Sequence, residues 1–254
     1  MSEEFPLFVF TDLDDSLFQT RAKTLARSPS GFMITAAKDR HGDPLSFHAF
    51  DQLALLRWLR GAVLIPVTGR NHLALRRVDS PLFTDYRITS HGSMVYRDEE
   101  TPEPDWHARV RRHGERLTGA MQELAARLPG RLGNPSDVNA CVIEDADVPV
   151  YISLKWGDAA DAPSAQVIRE AVQDDGLSES WRIHQNGRNA AILPAYASKA
   201  EAVRYVMDIK RRESPPATFI GIGDSHSDTA FLQLCDFALV PSNSQIQSAW
   251  CADE

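Results

Sequence analysis

The chain has 254 residues, with 27 Lys and Arg against 35 Asp and Glu, a formal charge of −8 with His neutral. That length suits one large domain or two unequal ones, and 43% hydrophobic with 24% charged residues is the balance of an ordinary globular protein. The acidic balance excludes nucleic acid as the expected partner, because a phosphate backbone is bound by a basic face, but a small anion stays open because it answers to a local field.

In chain order, Leu7–Thr11 is a short apolar run that ends in acids, as in a buried parallel strand with a functional loop at its carboxyl end. Phe50–Arg60 places Leu53, Leu56 and Leu59 at helical spacing and stops at Gly61. Ala62–Val67 is a second buried strand, ending in Thr68-Gly69-Arg70, and Arg87–Thr89 a third, followed by a turn at His91-Gly92. The acidic, Pro-rich residues 98–105 have the composition of a linker. Beyond them Trp106, Val110, Leu117, Met121, Leu124 and Leu128 mark one face of a long helix ending at Pro129-Gly130. Two strands follow, Asn139–Glu144 and Pro149–Trp156, then a helix at Ala165–Gln173, then a hairpin of Trp181–Gln185 and Asn189–Leu193 around Asn186-Gly187. Ser198–Arg212 is a helix, and Thr218–Ile222 and Phe237–Val240 are two more buried strands.

The order predicts an α/β protein with a Rossmann-like doubly wound parallel sheet. Residues 1–97 and 191–254 form this core, and 98–190 an inserted α+β module of order αββαββ. The module should make a four-stranded antiparallel sheet with two helices on one face. Three cysteines, Cys141, Cys235 and Cys251, lack CxxC spacing, which fits a reducing compartment and excludes a thiolate zinc cage. No stretch nears the roughly 20 apolar residues that cross a bilayer, and acids stand where a signal peptide would carry positive charge. A cytoplasmic protein without a membrane partner is expected, its oligomeric state open.

The first core strand ends in Asp12-Leu13-Asp14-Asp15-Ser16, the second in Thr68-Gly69-Arg70, and the fourth in Gly223-Asp224-Ser225-His226-Ser227-Asp228. In an open parallel sheet these carboxyl ends converge on one crevice. Asp12, Asp14, Asp224 and Asp228 gathered there would repel one another, which calls for a cation or for perturbed pKa values. An all-oxygen set selects a hard metal, with Mg²⁺ the usual one. Lys199, at the start of its helix, could neutralise an anion beside it.

A DxDxS, a Thr, a Lys and a GDxxxD in this order resemble the motifs of the haloacid dehalogenase (HAD) superfamily of phosphohydrolases. They are carried by FTDLDDSLF, VTGR, SKAEAV and GDSHSD and span residues 10–228. The inserted module resembles the larger of that family's caps, and NGRNAAILPAYASKAEAV is similar to the sucrose-phosphate phosphatase-like branch. The resemblance implies an Mg²⁺-dependent phosphatase acting on a small phosphorylated metabolite, with a sugar phosphate favoured. Asp12 would be the nucleophile, Asp14 the acid and then the base, and Thr68 and Lys199 the groups on the phosphoryl oxygens. The metal would be held by Asp12, the Asp14 carbonyl and Asp224, with Asp228 ligating or supporting. Substrate contacts are implied at Ser16, Gly69, Arg70 and, from PSNSQIQ, Asn243. If the module's open sheet face meets the crevice, Lys155, Arg182, His184 and Arg188 suit a polyhydroxylated leaving group. A sugar phosphomutase on the same scaffold and a noncatalytic phosphoacceptor or ligand-binding protein stay open as alternatives.

Overall fold

The computed structural model describes residues 6–28, 30–157, 161–173 and 181–252. The chain divides into two compact units, residues 1–102 with 199–254, and residues 103–198.

The first unit begins with β1 (Leu7–Thr11), β2 (Gln19–Thr20), α1 (Arg21–Arg27), β3 (Ile34–Lys38) and β4 (Pro44–His48). It continues through α2 (Phe50–Trp58), β5 (Val63–Pro66), α3 (His72–Leu75), β6 (Arg87–Thr89) and β7 (Met94–Tyr96). After the second unit it resumes with α6 (Lys199–Glu213), β12 (Thr218–Ile222), α7 (Thr229–Leu232), β13 (Phe237–Leu239) and α8 (Gln245–Ala252). The second unit holds α4 (Pro104–Arg131), β8 (Val138–Asp145), β9 (Val148–Trp156), α5 (Ala165–Gln173), β10 (Arg182–Asn186) and β11 (Asn189–Leu193).

In the first unit β13, β12, β1 and β5 lie side by side, all parallel. A bridge between Val67 and Ile88 carries the sheet on toward β6. β1 is apolar at consecutive positions because both of its faces are covered. Val9 packs with Ile220, Ile222 and Leu59, beside the partly buried Leu55 and Leu56 of α2. Phe8 and Phe10 stack on Phe219 with ring centroids 5.8 and 6.0 Å apart. The Lys210 ammonium of α6 stands 5.5 Å from the Phe8 ring, so α6 covers that face. On α6, Val203, Val206, Met207 and Lys210 are buried. This is the doubly covered parallel sheet that the alternation of strands and helices implied.

Two parts of the first unit were not legible. Residues 19–48 form α1 and a small antiparallel sheet of order β2-β4-β3, and β6 pairs with β7. These strands have two to five residues and expose Ile34 and Leu45, so no clean alternation marks them.

In the second unit the order is β10-β11-β9-β8, antiparallel throughout. Ile152, Leu154, Trp156 and Ile192 face a core shared with Met121, Leu124 and Leu128 of α4 and with Ile168 and Val172 of α5. Helix α4 starts where the Glu103 carboxylate accepts the Trp106 N–H at 2.8 Å, with Pro104 in its first turn. It runs on to Arg131 instead of stopping at Pro129-Gly130. A proline in the last turn forgoes a single backbone bond there, and its fixed φ is helical.

The expected boundary at 190/191 cuts through β11, whose residues pair with β10 on one side and β9 on the other. That strand therefore stays with the second unit, which runs to Ser198. At the other end Arg97 N–H donates to Thr101 carbonyl at 2.9 Å and Tyr96 bridges Pro102, which keeps residues 98–102 in the first unit.

One glycine sets how closely α4 approaches its sheet. A Cβ on buried Gly114 would lie 2.7 Å from Val148 Cγ1 and 3.3 Å from Pro149. Gly114→Val should lower unfolding stability by about 1–3 kcal/mol through overpacking. Gly119→Ala, where nothing lies within 4 Å, should raise it by up to about 1 kcal/mol. Urea unfolding followed by circular dichroism checks both signs.

Candidate active site

Strand pairing brings three of the four expected acids together. Asp12 N–H donates to Ile222 carbonyl at 2.8 Å, and Thr11 stands opposite Ile222, so Asp12 and the Gly223-Asp224 turn leave the sheet side by side. On the other flank Val67 N–H donates to Thr11 carbonyl at 2.7 Å, which places Thr68 beside Asp12. Oxygens of Asp12, Asp224 and Asp228 lie within 4.8 Å of one another, and all three residues are buried.

Lys199 joins this group. Its Nζ lies 2.7 Å from Asp12 Oδ1 and 2.7 Å from Asp228 Oδ1. Asp228 Oδ2 accepts from Ser225 Oγ at 2.8 Å, Ser225 N–H at 3.0 Å and Asp224 N–H at 3.3 Å. A Cβ on Gly223 would sit 2.6 Å from Asp228 Cβ, so glycine is the residue that lets the turn close over that carboxylate.

Burial raises the Asp12 carboxyl above its ordinary range, Lys199 opposes this, and Asp228 and Asp224 add to the rise. Burial also pushes Asp224 up, to about 6, with Asp228 and Asp15 adding repulsion. Burial acts the same way on Asp228, but Lys199 and the Ser225 donors outweigh it and hold Asp228 below the usual value. Lys199 is raised, its burial overcome by Asp12 and Asp228.

These contacts sort the acids by what is left to offer. Both Asp228 oxygens are engaged within the protein. Asp12 Oδ2 and Asp224 Oδ2 take no hydrogen bond from the described residues, and Asp224 Oδ1 accepts only a long 3.3 Å bond from Ser16 Oγ. Two buried carboxylates with open oxygens beside a single ammonium fit a hard divalent cation. Asp228 fits as the support that shapes the 224–225 turn.

Asp14 stands apart from this group. Its carboxylate is gripped by the Arg70 fork, Nε to Oδ2 at 2.8 Å and Nη2 to Oδ1 at 2.7 Å, and its side chain is 45% exposed. Arg70, expected at the substrate, therefore meets Asp14 first. Asp15 adopts a left-handed φ of 66°, which aspartate tolerates, and pairs with Lys23 at 2.6 Å. Thr68 Oγ1 accepts the Arg70 N–H at 3.1 Å, a contact that leaves its own proton to donate. The His91 ring lies over Gly69, where a Cβ would come within 2.5 Å of it. Asn243 is exposed with a φ of 62°, in the loop before α8, whose Ile246 N–H donates to the Asp224 carbonyl at 3.1 Å.

The residues expected in the inserted module belong to the second unit. Lys155, Arg182 and His184 share the sheet face away from α4 and α5: Lys155 pairs with Asn189, His184 with Ala191 and Arg182 with Leu193. Arg182 donates to the Ala197 carbonyl. Arg188 is exposed in the β10–β11 turn, and its carbonyl accepts the Trp156 N–H. Residues that sequence alone did not single out are Gly223, Ser225 and Ser46; the first two sit inside the GDSHSD motif, while Ser46 had no signal.

The profile of the sucrose-6F-phosphate phosphohydrolase family matches residues 5–254. The chain belongs to that family. It is a phosphoric monoester hydrolase of the HAD superfamily. Among solved structures it is similar to the sucrose-phosphatase of Synechocystis sp. PCC6803 in complex with sucrose and phosphate, at 17% identity and a TM-score of 0.55, over 99% of this chain and 88% of that one. Protein 0175 of Thermoplasma acidophilum gives 12% identity and a TM-score of 0.55, over 95% and 87%. The IMP-nucleotidase of Plasmodium falciparum gives 13% and 0.52, over 99% and 68%. No curated protein sequence matches the chain. At these identities the structural likenesses speak for the fold, the doubly wound core with its inserted α+β unit. No described helix is long and apolar enough to cross a membrane.

The crowded acids make a prediction about the metal-free protein. A folded pKa near 6 for Asp224 means the folded state holds its proton more tightly than the unfolded chain does. Stability contributed by this group is therefore present in acid and lost as pH rises from the ordinary carboxylate range through about 6. In EDTA at pH 7.5, Asp224→Asn should raise stability by about 1–3 kcal/mol and flatten that pH dependence, as thermal melts at several pH values would show.

Proposed function

We propose that this hydrolase removes the phosphoryl group from a sugar phosphate of the sucrose 6-phosphate type, through an aspartyl-phosphate on Asp12. The observation that carries the mechanism is the Lys199 bridge between Asp12 and Asp228 beside Asp224, at the ends of adjacent parallel strands. The substrate class rests on the family match and on the sucrose-bound relative. The family match also favours hydrolysis over the mutase and phosphoacceptor alternatives.

Asp12 and Asp224 would hold Mg²⁺, with the Asp14 carbonyl as a third ligand and Asp228 as support. When bound, the ion supplies positive charge that offsets the negative charge of the phosphoryl group. Lys199 and the Thr68 hydroxyl bind the phosphoryl oxygens, with Ser16 and the Gly69 backbone beside them. An Asp12 oxygen attacks phosphorus as the bond to the sugar oxygen breaks, and Asp14 gives that oxygen its proton. Asp14, now a carboxylate, takes a proton from water while the water oxygen attacks the phosphoryl group on Asp12. Inorganic phosphate leaves and Asp12 is restored. Water rather than sugar as the final acceptor makes this a hydrolase.

Released phosphate from a panel of phosphorylated metabolites with Mg²⁺, including sucrose 6-phosphate and trehalose 6-phosphate, tests the substrate. A disaccharide or hexose phosphate should lead the panel by kcat/KM. Asp12→Asn should abolish hydrolysis of every member while leaving the circular dichroism spectrum unchanged. Turnover surviving in that variant would overturn the nucleophile assignment, and isomerised sugar phosphate without free phosphate would replace hydrolase by mutase.

A further inference from the structure

We infer that Arg70 is the positioning residue of Asp14 and not a ligand of the substrate's phosphoryl group. The inference rests on the reading of Asp14 as the proton donor. Both ends of the Asp14 carboxylate are taken by the fork, Oδ2 by Nε at 2.8 Å and Oδ1 by Nη2 at 2.7 Å. A planar guanidinium meeting a carboxylate in this way fixes its direction as well as its place.

Arg70 is itself held from three sides. Its backbone N–H donates to Thr68 Oγ1. Its guanidinium carbon lies 5.2 Å from the centre of the fully buried Phe18 ring. Its Nη2 also reaches Ser46 Oγ of β4 at 3.3 Å. Its side chain is 13% exposed while that of Asp14 is 45% exposed. The rigid partner is therefore the arginine, and the carboxylate is the group able to move.

Ser46 makes that motion specific. When Asp14 Oδ1 turns toward the leaving oxygen, Nη2 keeps an acceptor in Ser46 Oγ, so the arginine stays in place. With its proton on Oδ1, Asp14 then swings on the remaining Nε–Oδ2 bond, gives that proton to the leaving oxygen and returns to the fork as a carboxylate. The Asp12, Asp224 and Asp228 cluster excludes Asp14, as expected for a carboxylate drawn to the β4 side. Lysine at position 70 would supply charge but no fork, so it would attract Asp14 without aiming it.

A leaving-group series separates the two roles. A proton donor matters more as the departing oxyanion becomes more basic, whereas a phosphoryl ligand matters equally for every ester. The probes are aryl phosphates from 4-nitrophenyl to phenyl phosphate, measured by kcat/KM with Mg²⁺ in wild type, Asp14→Asn, Arg70→Gln and Arg70→Lys. Arg70→Gln is expected to lose about 10–100-fold on phenyl phosphate and less than about threefold on 4-nitrophenyl phosphate, with the inhibition constant of inorganic phosphate unchanged. Arg70→Lys should fall between wild type and Arg70→Gln, and adding Arg70→Gln to Asp14→Asn should cost nothing further. An unchanged phosphate inhibition constant also shows that the variant site is folded. Equal losses on all esters with weakened phosphate inhibition would overturn the inference in favour of a phosphoryl ligand, and so would a flat, wild-type profile. If Asp14→Asn itself shows no dependence on the leaving group, the donor reading falls and this inference with it.

Discussion

One ammonium group holds the candidate site together. Lys199 lies 2.7 Å from both Asp12 and Asp228 and is itself almost wholly buried. Buried charges persist when they are paired and hydrogen-bonded, and removal of one partner leaves the others uncompensated. Here the pairing is incomplete by design of the residue set: three carboxylates share one cation. Burial raises the carboxyls of Asp12 and Asp224, and the surplus negative charge adds to the rise. The proposed cation site rests on that surplus, and with a divalent ion bound there a chain of net negative charge could take an anion.

The sheet is what makes that gathering possible. Asp12 and Asp224 lie far apart in the sequence, yet parallel pairing of β1 with β12 puts the turns after both strands at one end of the sheet. The same topology brings in Thr68 after β5. Apolar side chains on both faces of β1 fix the register, and the register in turn fixes which polar residues meet at the carboxyl ends. Close approach then depends on small residues, with Gly223 against Asp228 and Gly69 against the His91 ring.

Asp12 and Asp14 illustrate how two residues of one type diverge within three positions. Asp12 stands at the end of the strand in the buried cluster. Asp14, two residues on, lies half exposed in the arms of Arg70. In the proposed mechanism the nucleophile Asp12 has the fixed, desolvated position, and the proton donor Asp14 has the one with freedom to move. Environment, rather than residue type, separates the two tasks.

By itself the sequence determined the order of strands and helices in the core, the existence of an inserted α+β module, and Asp12, Asp224, Asp228 and Lys199 as a group that meets at one place, while Asp14, expected with them, stands apart. These are legible because hydrophobic periodicity and motif spacing are local or linear along the chain. The small sheet of β2, β3 and β4 was not, since its strands are too short for a period to develop. Nor was the end of the second unit, because β11 belongs where its hydrogen bonds go and composition does not record them. Only the tertiary structure decided that Asp228 is engaged on both oxygens, that Asp224 is left open, and that Arg70 grips Asp14 with Ser46 behind it. Those facts depend on which side chains come within about 3 Å across long sequence separations, and a linear motif names residues without stating what each one touches.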